Sequence, residues 1–205
     1  PLAVIASILI FASIKMLEIR DMKKYWKYSK KDFIVAILVV ALMVGVDSVV
    51  GLLAGTVLAL LYFVENFSKG HFDITRNRGN EFIDRLYEGD FDKFNESVDV
   101  VVYSFKGSLT YVNGETHKDR IHEKMALFNT IILRMRELGH MDHDGLEILY
   151  EIIEELESNN KKIFITGLSP DVKESMIKND KAHLITDDMV LENTTGALKS
   201  LGFII

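Results

Sequence analysis

Apolar and polar positions in this chain are separated into blocks before any pattern develops within an element. Pro1 to Leu17 is apolar except for Lys15 near its end, and Glu18 to Lys31 is charged. Asp32 to Val64 is apolar again, broken once by Gly45-Val46-Asp47-Ser48, and from Glu65 onward charge alternates with short apolar runs. Read as one helix at 1.5 Å per residue, Asp32 to Val64 would be roughly 48 Å long, against a hydrocarbon core of roughly 30 Å. It would also hold Asp47 near mid-bilayer, at a cost of roughly 2.5–3.5 kcal/mol. Two helices meeting at Gly45–Ser48 remove both problems. The carboxylate then reaches the far interface and the chain returns to its starting side. Each arm is roughly 21–24 Å long, which suits a larger helical bundle. The expected membrane spans are about residues 1–17, 33–46 and 49–64. Two competing readings are the buried hairpin of a soluble protein and, for Asp47, an ion-pathway residue in place of a turn at the interface.

Charge sets the orientation. The loop between the first two apolar runs carries Arg20, Lys23, Lys24, Lys27, Lys30 and Lys31, with Lys15 just before it, against Glu18 and Asp21. Short basic loops stay cytoplasmic, and Tyr25, Trp26 and Tyr28 suit the headgroup layer. A hairpin therefore returns the tail to the cytoplasm, whereas a single long helix would export it.

In the tail, residues 65–97 read as a linker, with a short strand at His71–Thr75 and a weak helix around Glu81–Tyr87. From Val98 the pattern changes. Val98 to Phe105 reads as a strand buried on both faces, and Gly107-Ser108 as a turn. Leu109 to Val112 reads as a second strand, and Asn113 as the cap of a helix from about Glu115 to Met125. Phe128–Met135 is a third strand, followed by a polar loop, Gly139 to Gly145. The next helix is amphipathic, with Leu146, Leu149, Ile152, Ile153 and Leu156 on one face and Glu147, Glu151, Glu154 and Glu155 on the other. Lys162–Gly167 is a strand, and Pro170 and Asp171 open another helix. His183–Thr186 is a short strand, and Glu192–Leu201 is a last helix closed by Gly202. Alternating strands and helices predict an α/β domain over residues 98–205, with a mixed, mainly parallel sheet and flanking helices.

Composition removes several chemistries. The 205 residues contain no cysteine, which excludes disulfides and thiolate sites. The net charge of −6 leaves no basic stripe for nucleic acid once the juxtamembrane loop is set aside. No phosphate-cradling glycine loop is present. His117 and His122 accompany no Ser or Cys nucleophile and read as surface histidines. Nothing supports hydrolysis, hydride transfer or phosphoryl transfer, so an enzyme is not expected, nor a cofactor. The strongest candidate in the tail is Asp142-His143-Asp144-Gly145, because a strand's carboxyl end feeding a helix N-terminus is where α/β proteins collect ligands. It is read as a docking or switch loop, or more simply as a turn in which Asp144 caps the helix. His140, Asp142, His143 and Asp144 crowd one loop with no distant partner, so no metal site is assigned. The sequons at Asn66, Asn95 and Asn193 are idle if the tail is cytoplasmic. The chain begins at Pro1, inside an apolar segment, and is expected to be the C-terminal piece of a longer protein.

The order of these pieces resembles the C-terminal end of sulfate-permease (SulP) family anion transporters. Pro1 to Ile10 resembles the family's proline-alanine-leucine segment, Lys31-Asp32-Phe33 the start of its last helix pair, and Gly45 to Gly51 with Gly55 its turn and glycine-lined final helix. Tyr103 to Asn113 and Asp142 to Leu146 are similar to the STAS domain shared with bacterial anti-sigma-factor antagonists. The resemblance implies a multi-pass inner-membrane protein, usually a homodimer, with a cytoplasmic STAS domain. It implies transport of sulfate, bicarbonate or a related anion by symport or exchange. The anion site lies in a core domain outside this chain, so no substrate-binding residue is assigned. The chain itself would supply scaffold helices in the lipid bilayer and a regulatory domain open to a cytoplasmic protein. Where the antagonists carry a phosphorylatable Ser or Thr this chain has Asp144, which excludes kinase control there and would mimic the charged state. The alternative is a membrane-tethered STAS module that docks a partner and transports nothing.

Overall fold

In a computed structural model of the chain, which describes residues 2–16, 26–27, 30–78, 81–179 and 181–203, two compact units are resolved, Pro1–Phe63 and Val64–Ile205.

The first unit is helical. α1 spans Leu2–Met16, α2 Lys30–Gly45 and α3 Ser48–Ser68. α2 and α3 form a hairpin. A Cβ on Gly51 would lie 2.2 Å from the Met43 side chain, and one on Gly55 2.9 Å from that of Val39. The two pairs step in opposite directions, as antiparallel helices require, and both depend on glycine for close backbone approach. The reversal occupies Val46 and Asp47. Leu42 O accepts from both of their amides, at 3.0 and 3.3 Å. Asp47 then opens α3: its Oδ1 accepts from Val49 N at 2.8 Å and its carbonyl from Gly51 N at 3.0 Å. Apart from Tyr111 and Val112, every exposed large apolar side chain among the described residues precedes Ser68.

The second unit contains one six-stranded sheet, in the order β2-β1-β3-β4-β5-β6. Its strands are β1 His71–Arg78, β2 Glu81–Tyr87, β3 Val98–Leu109, β4 Phe128–Met141, β5 Lys162–Thr166 and β6 Val190–Leu191. β1 pairs antiparallel with both β2 and β3, while β3 to β6 run parallel. α4 (Tyr111–Lys124) and α5 (His143–Ser158) share the larger core with one face of the sheet. α6 is Pro170–Ile177, and α7 (Thr194–Ser200) covers a smaller apolar patch of Val100, Val102, Ile132 and Phe164 on the other face.

Four expectations are corrected. Residues 81–87 form a strand in place of the weak helix, since β1 offers a free edge to pair with, and the stretch read as a linker supplies both antiparallel strands, β1 and the edge strand β2. Gly107-Ser108 does not turn the chain: Gly107, at φ +77°, absorbs a register shift within a strand that continues to Leu109, so no separate strand occupies residues 109–112. β4 likewise runs on to Met141, leaving almost no polar loop. The short strand expected at 183–186 is displaced to Val190–Leu191, and Ala182–Leu184 is a 3₁₀ turn.

Candidate functional site

β3 and β4 end side by side, at Leu109 and Met141, and each passes into a helix through a single residue, Thr110 or Asp142. Two helix N-termini therefore converge at the carboxyl edge of the parallel strands. At the first, Asn113 Oδ1 accepts from Thr110 N at 2.9 Å, and its Nδ2 donates to Ser108 O at 2.8 Å. At the second, Asp142 Oδ1 accepts from Gly145 N at 2.7 Å. The same carboxylate reaches sideways, where its Oδ2 accepts from Tyr111 N at 3.4 Å, and Asp142 N donates to Leu109 O at 3.3 Å. One side chain thus closes both helices.

Gly145 is fixed by space. A Cβ there would lie 2.2 Å from Leu109 O. Glycine lets the first turn of α5 press against the end of β3, which brings Asp142 within reach of Tyr111.

This geometry separates the four loop candidates into two roles. Asp142 and Gly145 are built into the fold, and Asp142, not Asp144, is the cap. His143 and Asp144 occupy the first turn of α5 and are exposed. Beside them on α4 stand Tyr111, 71% exposed, and Val112, 41% exposed, the two large apolar side chains left uncovered beyond Ser68 among the described residues. The surface is a small apolar patch next to an acid and an imidazole. Two of the nearby amides, Gly145 N and Tyr111 N, already donate to the Asp142 carboxylate. On the same helix, hydrogen bonds from Asn179 and then Lys181 hold the Glu147 carboxyl below its usual range, tying α5 to the segment after α6. His140 is exposed on β4, and Asp47 lies in the first unit, where it caps α3.

His117 overturns its reading as a surface residue: it is fully buried. Its Nδ1 is 2.7 Å from Tyr103 Oη, its ring packs against Phe72 and Phe105, and its Nε2 would lie 2.3 Å from a Cβ on Gly70. Burial, then the charges of Arg120 and His71, push its pKa down to about 3, so the ring is neutral at physiological pH. The neighbouring residues fasten the same place. Thr116 Oγ1 donates to Ser68 O at 2.9 Å, and Arg120 Nη1 donates to Gly70 O at 3.1 Å. His122 does sit at the surface, paired with Glu155 of α5. The signal for His117 was present as spacing, since Gly114, His117, Ile121 and Lys124 fall on one buried helical face. With Asn113 also buried, one aliphatic member in five does not read as a core.

Residues 93–194 match the STAS domain family. Among curated proteins, "Putative sulfate transporter YvdB" of Bacillus subtilis (strain 168) is 25% identical over 186 residues, covering 90% of this chain and 33% of that protein. The chain thus spans about a third of the length of the relative it matches. Among solved structures, SLC26A9 superposes with a TM-score of 0.65 at 16% identity, covering 93% of this chain and 33% of that one. The murine Slc26a9 anion transporter in the inward-facing state gives 0.69 at 16% identity, covering 93% and 31%. At that identity the likeness concerns the fold alone.

Proposed function

We propose, for a chain whose residues 93–194 are a STAS domain and whose order of segments is that of the C-terminal region of sulfate-transporter proteins, that it supplies the last membrane helices and cytoplasmic regulatory domain of a secondary anion transporter. One observation carries the reading. A hairpin that leaves nearly all its apolar side chains uncovered is joined, without a polar spacer domain, to a STAS domain that buries its own. α3, with 21 residues, is long and apolar enough to cross a membrane. α2, with 16 residues, is about 24 Å long and fits the same role inside a bundle of helices.

In this reading Asp47 marks the outer turn and the STAS domain lies in the cytoplasm. The division of labour follows from chemistry. The second unit offers a docking patch at Tyr111, Val112, His143 and Asp144. The first unit offers scaffold helices. Substrate would bind in a core domain outside the chain, and two copies would pair as a homodimer in the bilayer.

Uptake by the full-length protein in proteoliposomes, compared across sulfate, bicarbonate and succinate, tests the proposal. Saturable, protein-dependent uptake of one of these anions is expected. Absence of uptake, together with retention of a cytoplasmic partner on the Tyr111–Asp144 surface, would replace it with the tethered-module alternative.

A further inference from the structure

The sheet face that carries α7 is only half apolar. α7 covers Val100, Val102, Ile132 and Phe164. Beyond it, toward the carboxyl ends of β4 and β5, the same face becomes polar, because residues two apart on a strand share a side. Arg134 and Arg136 extend the row that began with Thr130 and Ile132. Thr166 lies opposite Arg134 in register.

A cavity of about 480 Å³ opens here, lined by Arg134, Arg136, Gly167, Glu192, Thr194 and Thr195. Its charges are unequally committed. Lys106, on the neighbouring strand, is held by Asp73 at 2.6 Å. Arg134 Nη2 reaches Glu137 Oε1 at 3.3 Å. Arg136 has no carboxylate within ion-pair distance among the described residues. Gly167 keeps the floor open, at φ +72° and so close to β4 that a Cβ would lie 2.9 Å from that of Arg136. The Thr194 hydroxyl is 3.0 Å from that of Thr166, and Thr195 is exposed. The Asn193 side chain is occupied as a cap, accepting from Gly196 N at 2.7 Å. The side-chain donors lining the cavity are the guanidiniums of Arg134 and Arg136 and the hydroxyls of Thr194 and Thr195.

We propose that this cavity binds a tetrahedral oxyanion, free or at the end of a small organic ester. Forked guanidinium donors match phosphate and sulfate oxygens, and threonine hydroxyls complete such sites. The volume exceeds that of an inorganic ion and lies in the usual range for small-molecule pockets, leaving room for an organic remainder. Glu192, at the rim, opposes the anion's charge and favours a ligand that also brings a hydroxyl or amine donor. The site is separate from the Asp142 docking edge, and it stands whether or not the full-length protein transports.

The test is calorimetric titration of the whole chain in detergent with sodium sulfate, sodium phosphate and ribose 5-phosphate at constant ionic strength, with chloride as the control. Saturable binding is expected, at least tenfold weaker in Arg136→Gln. Binding should be several-fold tighter in Glu192→Gln, a shift of opposite sign that misfolding cannot produce. A preference for the ester points to an organic phosphate, and equal affinities point to the inorganic ion. Equal binding in wild type and Arg136→Gln, or the same response to chloride as to sulfate and phosphate, would overturn the assignment.

Discussion

His117 makes the second unit sensitive to acid in a way that can be isolated. The ring is fully buried and neutral, with its pKa pushed down to about 3. In the unfolded chain it titrates near 6.5. Below that pH the unfolded state takes up a proton that the folded state refuses, so stability falls with falling pH and levels off near pH 3. Between pH 7 and pH 5 nearly all of the loss comes from the final 1.5 units, at about 1.4 kcal/mol each, so His117 alone removes about 2 kcal/mol. In His117→Gln, the amide can still accept from Tyr103 Oη but cannot titrate. Urea midpoints for both chains in detergent, followed by tyrosine circular dichroism at pH 7, 6 and 5, should therefore converge as the pH drops. Every carboxylate contributes equally to the two profiles, so only their difference counts. Parallel profiles would refute the argument, because they would mean that the ring is charged in the fold or already dehydrated in the unfolded chain.

Three further outcomes follow from the geometry. Asp142→Ala should cost about 1–2 kcal/mol of unfolding free energy, since it opens a helix end, while Asp144→Ala should cost less than about 1 kcal/mol; thermal melts of the two variants decide which residue is the cap. Gly145→Ala forces a Cβ toward Leu109 O and should destabilise the domain by about 1–3 kcal/mol, with increased hydrogen exchange at the start of α5. Because the chain has no cysteine, Asp47→Cys and Asp144→Cys introduce single labelling sites. In intact cells an impermeant maleimide should modify the first and spare the second until the membrane is opened, and the reverse pattern would invert the proposed orientation.

The hairpin and the amphipathic α5 were legible because each is written as a contrast between neighbouring residues, an uncharged run with one polar break or a 3.6-residue stripe of leucine and isoleucine. β3 was legible as a β-branched run, but its end was not. Gly107-Ser108 carries the same letters in a turn as in a strand irregularity, and only β4 running alongside decides between them. β2 depends on pairing with β1, a contact that local pattern does not record. At the candidate site, Asp142 and Asp144 are equally good caps by composition. The choice is made by Gly145 pressing on Leu109, which puts the first carboxylate, not the second, beside Tyr111. α4 concealed its inner face because four of its five buried residues, Asn113, Gly114, His117 and Lys124, are not core formers.

The shared cap has a mechanical consequence. Asp142 is the only side chain bridging the two helix starts among the described hydrogen bonds there, so it acts as a latch with a single pin. A protein that gripped His143 and Asp144 and tilted the first turn of α5 would withdraw that pin from Tyr111 as well. The start of α4 would lose that tie although nothing had touched it, and would keep only the Asn113 hydrogen bonds to Thr110 N and Ser108 O. α4 also carries Thr116 and Arg120, which bind the carbonyls of Ser68 and Gly70, so a tug at the rim would be felt where the sheet domain begins.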